Sequence, residues 1–228
     1  IIYFHGSAFI ALGINSHRPL VSHIARDSRA RALSVGYRLC PRNLVEDAVE
    51  DGVDAYRYVL AQGVKPENIV LAGDSAGGNL AAVVAQLARD AGITLRAQLL
   101  WYPATTWDTS LPSFTENADA PVLGRDAVGG FSLLYATGVD LRNPPAALVP
   151  ARAESLAGLA PAYIAVAGYD PLRDDGIRYG EMLTAAGVSV EVHNAETLVH
   201  GYLGYYGVVP ATTEAADKAL AALRAALA

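Results

Sequence analysis

The chain has 228 residues, of which 52% are apolar, and it carries a formal net charge of −6 at pH 7. This length suits one large α/β domain or two small ones, and the apolar composition allows a sizeable core and argues against a disordered protein. The negative charge argues against partners such as nucleic acid or acidic membrane surfaces. No apolar run approaches the length of a membrane span.

The single cysteine, Cys40, excludes an internal disulfide bond and suits a reducing compartment, so we expect a cytoplasmic protein. Because no second cysteine or nearby histidine accompanies it, we expect a small buried side chain rather than a reactive thiol. The chain begins with Ile1-Ile-Tyr-Phe4, which has the character of a strand interior and lacks an initiator methionine. We therefore expect further residues in front of it, and the sequence does not decide whether they include a signal peptide.

Strand-like and helix-like segments alternate along the chain. Short apolar runs predict strands over residues 1–5, 31–39, 69–72, 95–102, 162–168 and 188–193. Helical spacing of apolar residues predicts helices over residues 14–29, 44–62, 78–89, 174–186 and 212–227. This order predicts a mostly parallel central sheet with helices on both faces, and active sites in such sheets lie beyond the carboxyl ends of the strands.

Residues 104–150 interrupt the alternation. They contain five prolines and four large aromatic side chains, Trp107, Phe114, Phe131 and Tyr135. The length and aromatic content favour an insertion that is partly helical near 125–136 and faces the substrate as part of a lid, with an ordinary long excursion as the alternative. No linker divides the chain, so we predict one domain over 1–228 that includes this insertion.

The segment Gly73-Asp-Ser-Ala-Gly77 follows an apolar strand and precedes a helical segment. It fits the G-x-S-x-G nucleophile elbow, in which a sharp turn lifts a serine hydroxyl to the top of a sheet. Glycines at both ends allow two backbone segments to pass closely where a side chain would clash. The pattern and its context make Ser75 the candidate nucleophile.

A serine hydroxyl becomes a strong nucleophile only when a base accepts its proton. His200 is the candidate base because it lies between the last predicted strand and the last predicted helix. His17 and His23 lie in a predicted helix and His193 lies in a predicted strand, so we expect these three as surface or core residues away from the strand ends.

The base in turn needs an orienting carboxylate. Asp170 is the candidate acid because it is the first carboxylate after a strand, in a turn stiffened by Pro171. Asp174 and Asp175 are more simply explained as acids at the start of the next helix, where the helix dipole favours negative charge. The acids of residues 46–54 are predicted to form a solvated helix face rather than a metal site.

The loop after the first strand is the candidate oxyanion hole. Small residues in His5-Gly-Ser-Ala-Phe9 let backbone N–H groups point at a substrate oxygen, so we assign the donors to Ser7 and Ala8, with Ala76 at the head of the elbow helix. His5 is predicted to fix the loop, with a catalytic role as the alternative.

Together these motifs resemble the hormone-sensitive-lipase-like esterases, a branch of the α/β-hydrolases. The segment Tyr3–Phe9 is similar to that family's strand and His-Gly-Gly-Gly loop, and residues 37–41 (Tyr-Arg-Leu-Cys-Pro) to its Tyr-Arg-Leu-Ala-Pro segment. Residues 73–79, 170–174 and 200–202 match its elbow, acid and base motifs. The resemblance implies an α/β-hydrolase fold, a triad of Ser75, Asp170 and His200, and hydrolysis of short-chain carboxylic esters without cofactor or metal.

The chain departs from the family pattern in three ways. Ser7 and Ala8 replace two glycines, so Cβ atoms crowd the oxyanion loop, and any positive φ there costs more. The stretch after Pro41 is shorter than in most members. The family's N-terminal cap and first strands are absent from this sequence; if the molecule lacks them too, we expect a more open site and a bare sheet edge that invites pairing into a homodimer.

The sequence therefore predicts a serine carboxylesterase that acts on a small-molecule ester through an acyl-enzyme intermediate. A hydrolase of lactones with the same triad is an alternative within enzymes, and a catalytically inactive ligand-binding relative is the alternative outside them. Phe9, Tyr102 and Tyr202 are predicted to contact the substrate; for Tyr102, core packing is the competing interpretation.

Overall fold

A six-stranded sheet lies at the centre of the computed structural model, which describes residues 1–140 and 143–227. Every strand pair is parallel, and the strand order is β2-β1-β3-β4-β5-β6. The strands are β1 Ile2–Phe4, β2 Leu33–Val35, β3 Val70–Asp74, β4 Ala97–Trp101, β5 Ala162–Tyr169 and β6 Val190–Val199. This arrangement confirms the predicted α/β-hydrolase architecture and leaves β2 and β6 at the two edges of the sheet.

Helices cover both faces of the sheet. They are α1 Ile14–Ser28, α2 Val45–Ala61, α3 Ala76–Asp90, α4 Pro112–Glu116, α5 Arg125–Tyr135, α6 Arg173–Ala185 and α7 Pro210–Leu227. The cores divide them into two layers, with α2, α3 and α6 on one face and α1 and α7 on the other. Within residues 1–140 and 143–227, no helix has the length and apolarity needed to cross a membrane.

The central strands supply side chains to both cores. In β3, Leu71 packs into the core under α2, α3 and α6, whereas Val70 and Ala72 pack into the core under α1 and α7. Successive side chains of a strand point to opposite faces, so a strand buried on both sides is mostly apolar. This is why β3 is recognisable in the sequence by its apolar start, whereas β4 contains one buried polar residue, Gln98.

The two edge strands differ most from the sequence prediction. Strand β2 covers only three residues of the predicted 31–39. Strand β6 continues to Val199, past the predicted end at His193. Its second half carries Glu196 and Thr197, which are exposed, and an edge strand tolerates such polar residues because one of its sides faces solvent.

The insertion at 104–150, of which residues 141 and 142 lie outside the described residues, contains α4 and α5. The side-chain amide of Asn79, in the first turn of α3, donates to the carbonyl oxygens of Ala104 at 2.6 Å and Leu148 at 2.8 Å. One buried side chain thus ties together the two ends of the insertion. Thr105 and Thr106 both donate to the carboxylate of Asp175, which anchors the same segment to α6.

Candidate active site

Ser75 lies on a sharp turn between β3 and α3. Its backbone has φ 55° and ψ −120°, a conformation that L-residues rarely adopt and that clusters at functional sites. A Cβ atom at Gly73 would lie 2.3 Å from the carbonyl oxygen of Gly77, and one at Gly77 would lie 2.0 Å from the carbonyl oxygen of Phe4. The two glycines therefore permit the close passage of β1, β3 and α3 that places Ser75 beyond the carboxyl end of β3.

The structure brings Ser75, His200 and Asp170 together, with the ring of His200 between the other two side chains. The Nε2 atom of His200 lies 2.9 Å from the Oγ atom of Ser75, and its Nδ1 atom lies 2.7 Å from the Oδ2 atom of Asp170. Both distances are within hydrogen-bond range. Asp170 is fully buried and His200 is 8% exposed, so little solvent screens the pair.

Local backbone features place the acid and the base. The pairing of β5 with β6 shifts register between Ala167 and Tyr169, and a Cβ atom at Gly168 would lie 1.9 Å from the carbonyl oxygen of Glu196. This irregularity at the ends of neighbouring strands aims the following residues, as β-bulges near active sites do. The amide of Leu172 then donates to Oδ1 of Asp170 at 2.8 Å, which leaves Oδ2 for His200.

The insertion at 104–150 also holds the loop that carries Asp170. The side-chain amide of Asn117 donates to the carbonyl oxygens of Gly168 at 3.2 Å and Asp170 at 3.1 Å. The hydroxyl of Ser113 donates to the carbonyl oxygen of Pro171 at 2.9 Å. Neither residue was singled out by the sequence analysis, because a contact between an insertion and a distant loop leaves no local pattern.

The loop after β1 runs past Ser75 in a strained conformation. Ala8 has φ 51° and Phe9 has φ 62°, so two residues with side chains occupy the left-handed region, and Ala8 stands at one of the two glycine positions of the resembled motif. The hydroxyl of Ser7 lies 3.0 Å from the hydroxyl of Tyr37, and the amide of Cys40 donates to the carbonyl oxygen of Phe9 at 2.8 Å. These two contacts tie the loop to the segment after β2.

A cavity of about 800 Å³ opens above the triad, in the size range of small-molecule sites. Ser75, His200 and the loop after β1 line one part of it. Much of the opposite wall comes from the insertion, with apolar side chains that include Trp107, Phe114, Val122, Leu123, Phe131, Leu133 and Tyr135. The cavity is thus largely apolar, with the polar groups concentrated at the triad.

The predicted substrate contacts have different positions. Phe9 and Tyr102 line the cavity, and the ring of Tyr102 lies 4.8 Å from that of His200 between centroids. Tyr202 does not line it. Gly201 takes a left-handed turn at φ 74° into the 3-10 helix Tyr202–Tyr205, and this turn buries Tyr202 completely beneath Tyr102. Its predicted contact with substrate is therefore corrected to core packing.

The expectation that His17 lies away from the strand ends is wrong. Helix α1 begins beside the carboxyl ends of the strands. Nε2 of His17 lies 3.6 Å from Oδ1 of Asp74, the residue before the elbow serine. The ring of His17 lines the cavity and lies 5.4 Å from that of His5. Helical periodicity alone did not reveal this contact, because the crossing of α1 over the strand ends depends on the tertiary fold.

Several other acidic residues and His5 have structural partners. Arg38 donates to the carboxylates of Asp47, Glu50 and Asp51, so an arginine partly neutralises the acidic face of α2. Across residues 1–140 and 143–227, no group of three or more His, Cys, Asp or Glu side chains could hold a metal ion. His5 is buried, its Nδ1 lies 3.2 Å from the carbonyl oxygen of Gly6, and desolvation lowers its pKa.

Comparison with known proteins places this geometry in a family. The family described as "alpha/beta hydrolase fold" matches residues 1–204. The chain belongs to this family. It is 56% identical over 232 residues to Esterase LipI of Mycobacterium tuberculosis, covering 100% of this chain and 72% of that protein.

Two further relatives refine the placement. Carboxylesterase NlhH of Mycobacterium tuberculosis is 48% identical to this α/β-hydrolase over 235 residues, covering 100% of the chain and 73% of the relative. The crystal structure of an esterase from the bacterial hormone-sensitive lipase family superposes with a TM-score of 0.91 at 32% identity, covering 100% of this chain and 76% of the other. These relatives confirm the resemblance to hormone-sensitive-lipase-like esterases.

Proposed function

We propose that this protein is a serine carboxylesterase that cleaves short-chain carboxylic esters through an acyl-enzyme intermediate. The observation that carries the proposal is the 2.9 Å contact between Oγ of Ser75 and Nε2 of His200, with Asp170 behind the ring. In a chain whose relatives are named esterase and carboxylesterase, this series supplies nucleophile, base and orienting acid.

Acylation begins when Ser75 attacks the ester carbonyl and His200 accepts the hydroxyl proton on Nε2. Asp170 keeps the proton on Nδ1 of the ring and stabilises the imidazolium that forms. His200 then donates its new proton to the leaving alcohol as the tetrahedral intermediate collapses. In deacylation the same ring accepts a proton from the attacking water and returns it to Oγ of Ser75 as the second tetrahedral intermediate collapses and releases the carboxylic acid.

The oxyanion of both tetrahedral intermediates needs fixed donors. We assign them to the backbone N–H groups of Ser7, Ala8 and Ala76. Ala76 is the first residue of α3, where N–H groups have no intrahelical acceptor and the helix dipole favours negative charge. With these donors and the triad the reaction requires no metal or cofactor, since proton transfer and charge stabilisation come from the protein itself.

The apolar cavity favours small esters, and we assign the insertion at 104–150 a role as part of a lid over the acyl or alcohol group. Phe9 and Tyr102 are the proposed substrate contacts that remain after the correction of Tyr202. A cytoplasmic location and a homodimer complete the proposal; the single buried cysteine supports the first and the exposed sheet edges support the second.

Turnover of p-nitrophenyl acetate and butyrate tests the proposal. The wild type should hydrolyse both esters, and Ser75→Ala should reduce kcat by about 10⁶-fold, toward the background left by binding and the oxyanion hole. Ser22→Ala, which removes an exposed hydroxyl from α1, is the control and should retain wild-type rates. Equal rates for Ser75→Ala and the wild type would defeat the assignment of Ser75.

Two further assays separate the alternatives. A panel of linear esters and lactones distinguishes a carboxylesterase from a hydrolase of cyclic esters, which would use the same triad. A fluorophosphonate probe should label Ser75 covalently in an active hydrolase, whereas a ligand-binding relative should not be labelled. The names of the relatives favour neither alternative.

A further inference from the structure

Asp74, the residue before the elbow serine, is buried and accepts two hydrogen bonds at one carboxylate oxygen. Oδ1 accepts from the hydroxyl of Tyr3 at 2.7 Å and from the backbone N–H of Gly6 at 2.8 Å. A Cβ atom at Gly6 would lie 2.2 Å from Oδ2, so the carboxylate touches the loop after β1 directly. Any movement of this carboxylate is therefore transmitted to the loop that carries Ser7 and Ala8.

His17 holds the same carboxylate from the side of α1. Its Nε2 atom lies 3.6 Å from Oδ1 of Asp74, and its Nδ1 atom lies 2.9 Å from the hydroxyl of Ser16. The side chain of His17 is 12% exposed and that of Asp74 is 9% exposed, so the pair interacts with little solvent screening. Gly13 and Ser16 fix the start of α1 through reciprocal hydrogen bonds.

We propose that His17, as an imidazolium, is a positioning residue for the oxyanion hole, acting through Asp74 and the backbone of Gly6. The inference rests on the proposed esterase function. His17 takes no part in the hydrogen bonds that join Ser75, His200 and Asp170. It fixes the carboxylate that orients the loop, and the loop in turn presents the N–H groups of Ser7 and Ala8.

The surroundings of His17 favour its charged form. Three titratable groups face it: Asp74 from β3, Tyr3 from β1, and His5 from the loop after β1. Burial opposes the imidazolium, but the nearby carboxylate of Asp74 and the backbone of Gly13 outweigh burial and raise the pKa of His17. Burial lowers the pKa of His5 and raises that of Tyr3, so neither neighbour adds a charge at neutral pH.

The sign of the pH effect follows from these directions. Because the pKa of His17 is raised in the folded protein, the His17–Asp74 ion pair is complete at low pH and is lost as pH rises through the raised pKa. The value of kcat should therefore fall as pH rises through the raised pKa of His17, and this fall is the alkaline limb of the profile.

The test compares the profile of kcat and KM for the wild type, His17→Asn and the matched control His23→Asn on a p-nitrophenyl ester. His23 lies on the same helix and packs against Tyr206. His17→Asn should lower kcat by about 10- to 100-fold below neutral pH with KM nearly unchanged, as small misplacements of catalytic donors do. The deficit should shrink as pH rises, and His23→Asn should match the wild type throughout.

Two results overturn the proposal: a loss of kcat in His17→Asn that is constant across the pH range, or an alkaline limb that survives in this variant. A merely structural role would lower stability without changing the shape of the pH profile. If His17→Asn does not fold, His17→Gln replaces it, and a wild-type profile without an alkaline limb overturns the proposal by itself. Fluorophosphonate labelling of wild-type Ser75 keeps the two failures apart: labelled protein with an unchanged profile refutes only the role of His17.

Discussion

Asp170 is a fully buried carboxylate that accepts hydrogen bonds from the His200 ring at 2.7 Å and from the Leu172 amide at 2.8 Å. Asp170→Asn keeps the shape but offers an NH₂ group that favours the wrong tautomer of His200. We expect kcat to fall by about 10⁴-fold with little change in KM, as in other triads. Steady-state kinetics on p-nitrophenyl butyrate measures the effect.

Asp174→Asn is the matched control for that substitution. Asp174 lies close by in the first turn of α6, but its carboxylate accepts from Arg173 and from the amide of Ser113 rather than from the base. We expect its kcat to stay within about tenfold of the wild type, since only the anchoring of the insertion is weakened. A large loss in Asp174→Asn together with a small loss in Asp170→Asn would reverse the assignment of the acid.

The sequence predicted the members of the triad because each follows a strand, and parallel strands end at one edge of the sheet. It did not predict the contact between His17 and Asp74, since nothing local fixes where the start of a helix crosses a sheet. The direction of Tyr202 also depends on tertiary structure, because one left-handed residue, Gly201, reverses the side that the next ring faces. The residue types in the sequence thus identify the catalytic side chains, whereas the direction in which a side chain points depends on the backbone geometry of the folded protein.

At the scale of elements, the elbow depends on the close approach of α3 to β1. Gly77→Ala would place a Cβ atom 2.0 Å from the carbonyl oxygen of Phe4, which is backbone and cannot rotate away. We expect the free energy of unfolding to fall by about 1–3 kcal/mol, as overpacked cores do, and activity to fall because the turn at Ser75 shifts. Urea denaturation measures the stability change.

Gly129→Ala is the control because Gly129 lies within α5 and has open space around its Cα. Alanine there should leave stability unchanged or raise it by about 0.5–1 kcal/mol, since glycine is a poorer helix former. If Gly77→Ala proves as stable as Gly129→Ala, the close contact between β1 and α3 does not limit the fold.

The long regular elements were predictable because their apolar periodicity extends over many residues, as in α2 and α7. The short ones were not: α4 covers only Pro112–Glu116, which is too short to show a period. The end of β6 was missed for a different reason, since a strand with one solvated side carries polar residues that resemble a loop. Element type therefore follows from pattern, and element length follows from position in the sheet.

At the scale of the whole molecule, the sheet presents two edges, and the longer one favours a partner. Edge strand β6 has ten residues, and β2 has three. An exposed edge is a template for pairing with another chain, and Val192 on β6 is 40% exposed. We therefore expect two copies to pair through β6 around a two-fold axis, giving about twice the 23.9 kDa of one chain.

Light scattering after size exclusion measures the mass of the wild type and of Val192→Lys. A lysine on this edge removes an apolar contact and places like charges near each other across the two-fold axis, so the variant should be monomeric. Gln62→Lys adds the same charge to an exposed site at the end of α2 and should remain dimeric. A monomeric wild type would show that the β6 edge stays unpaired in solution, and a dimer that survives Val192→Lys would move the interface to β2 or to a helical face.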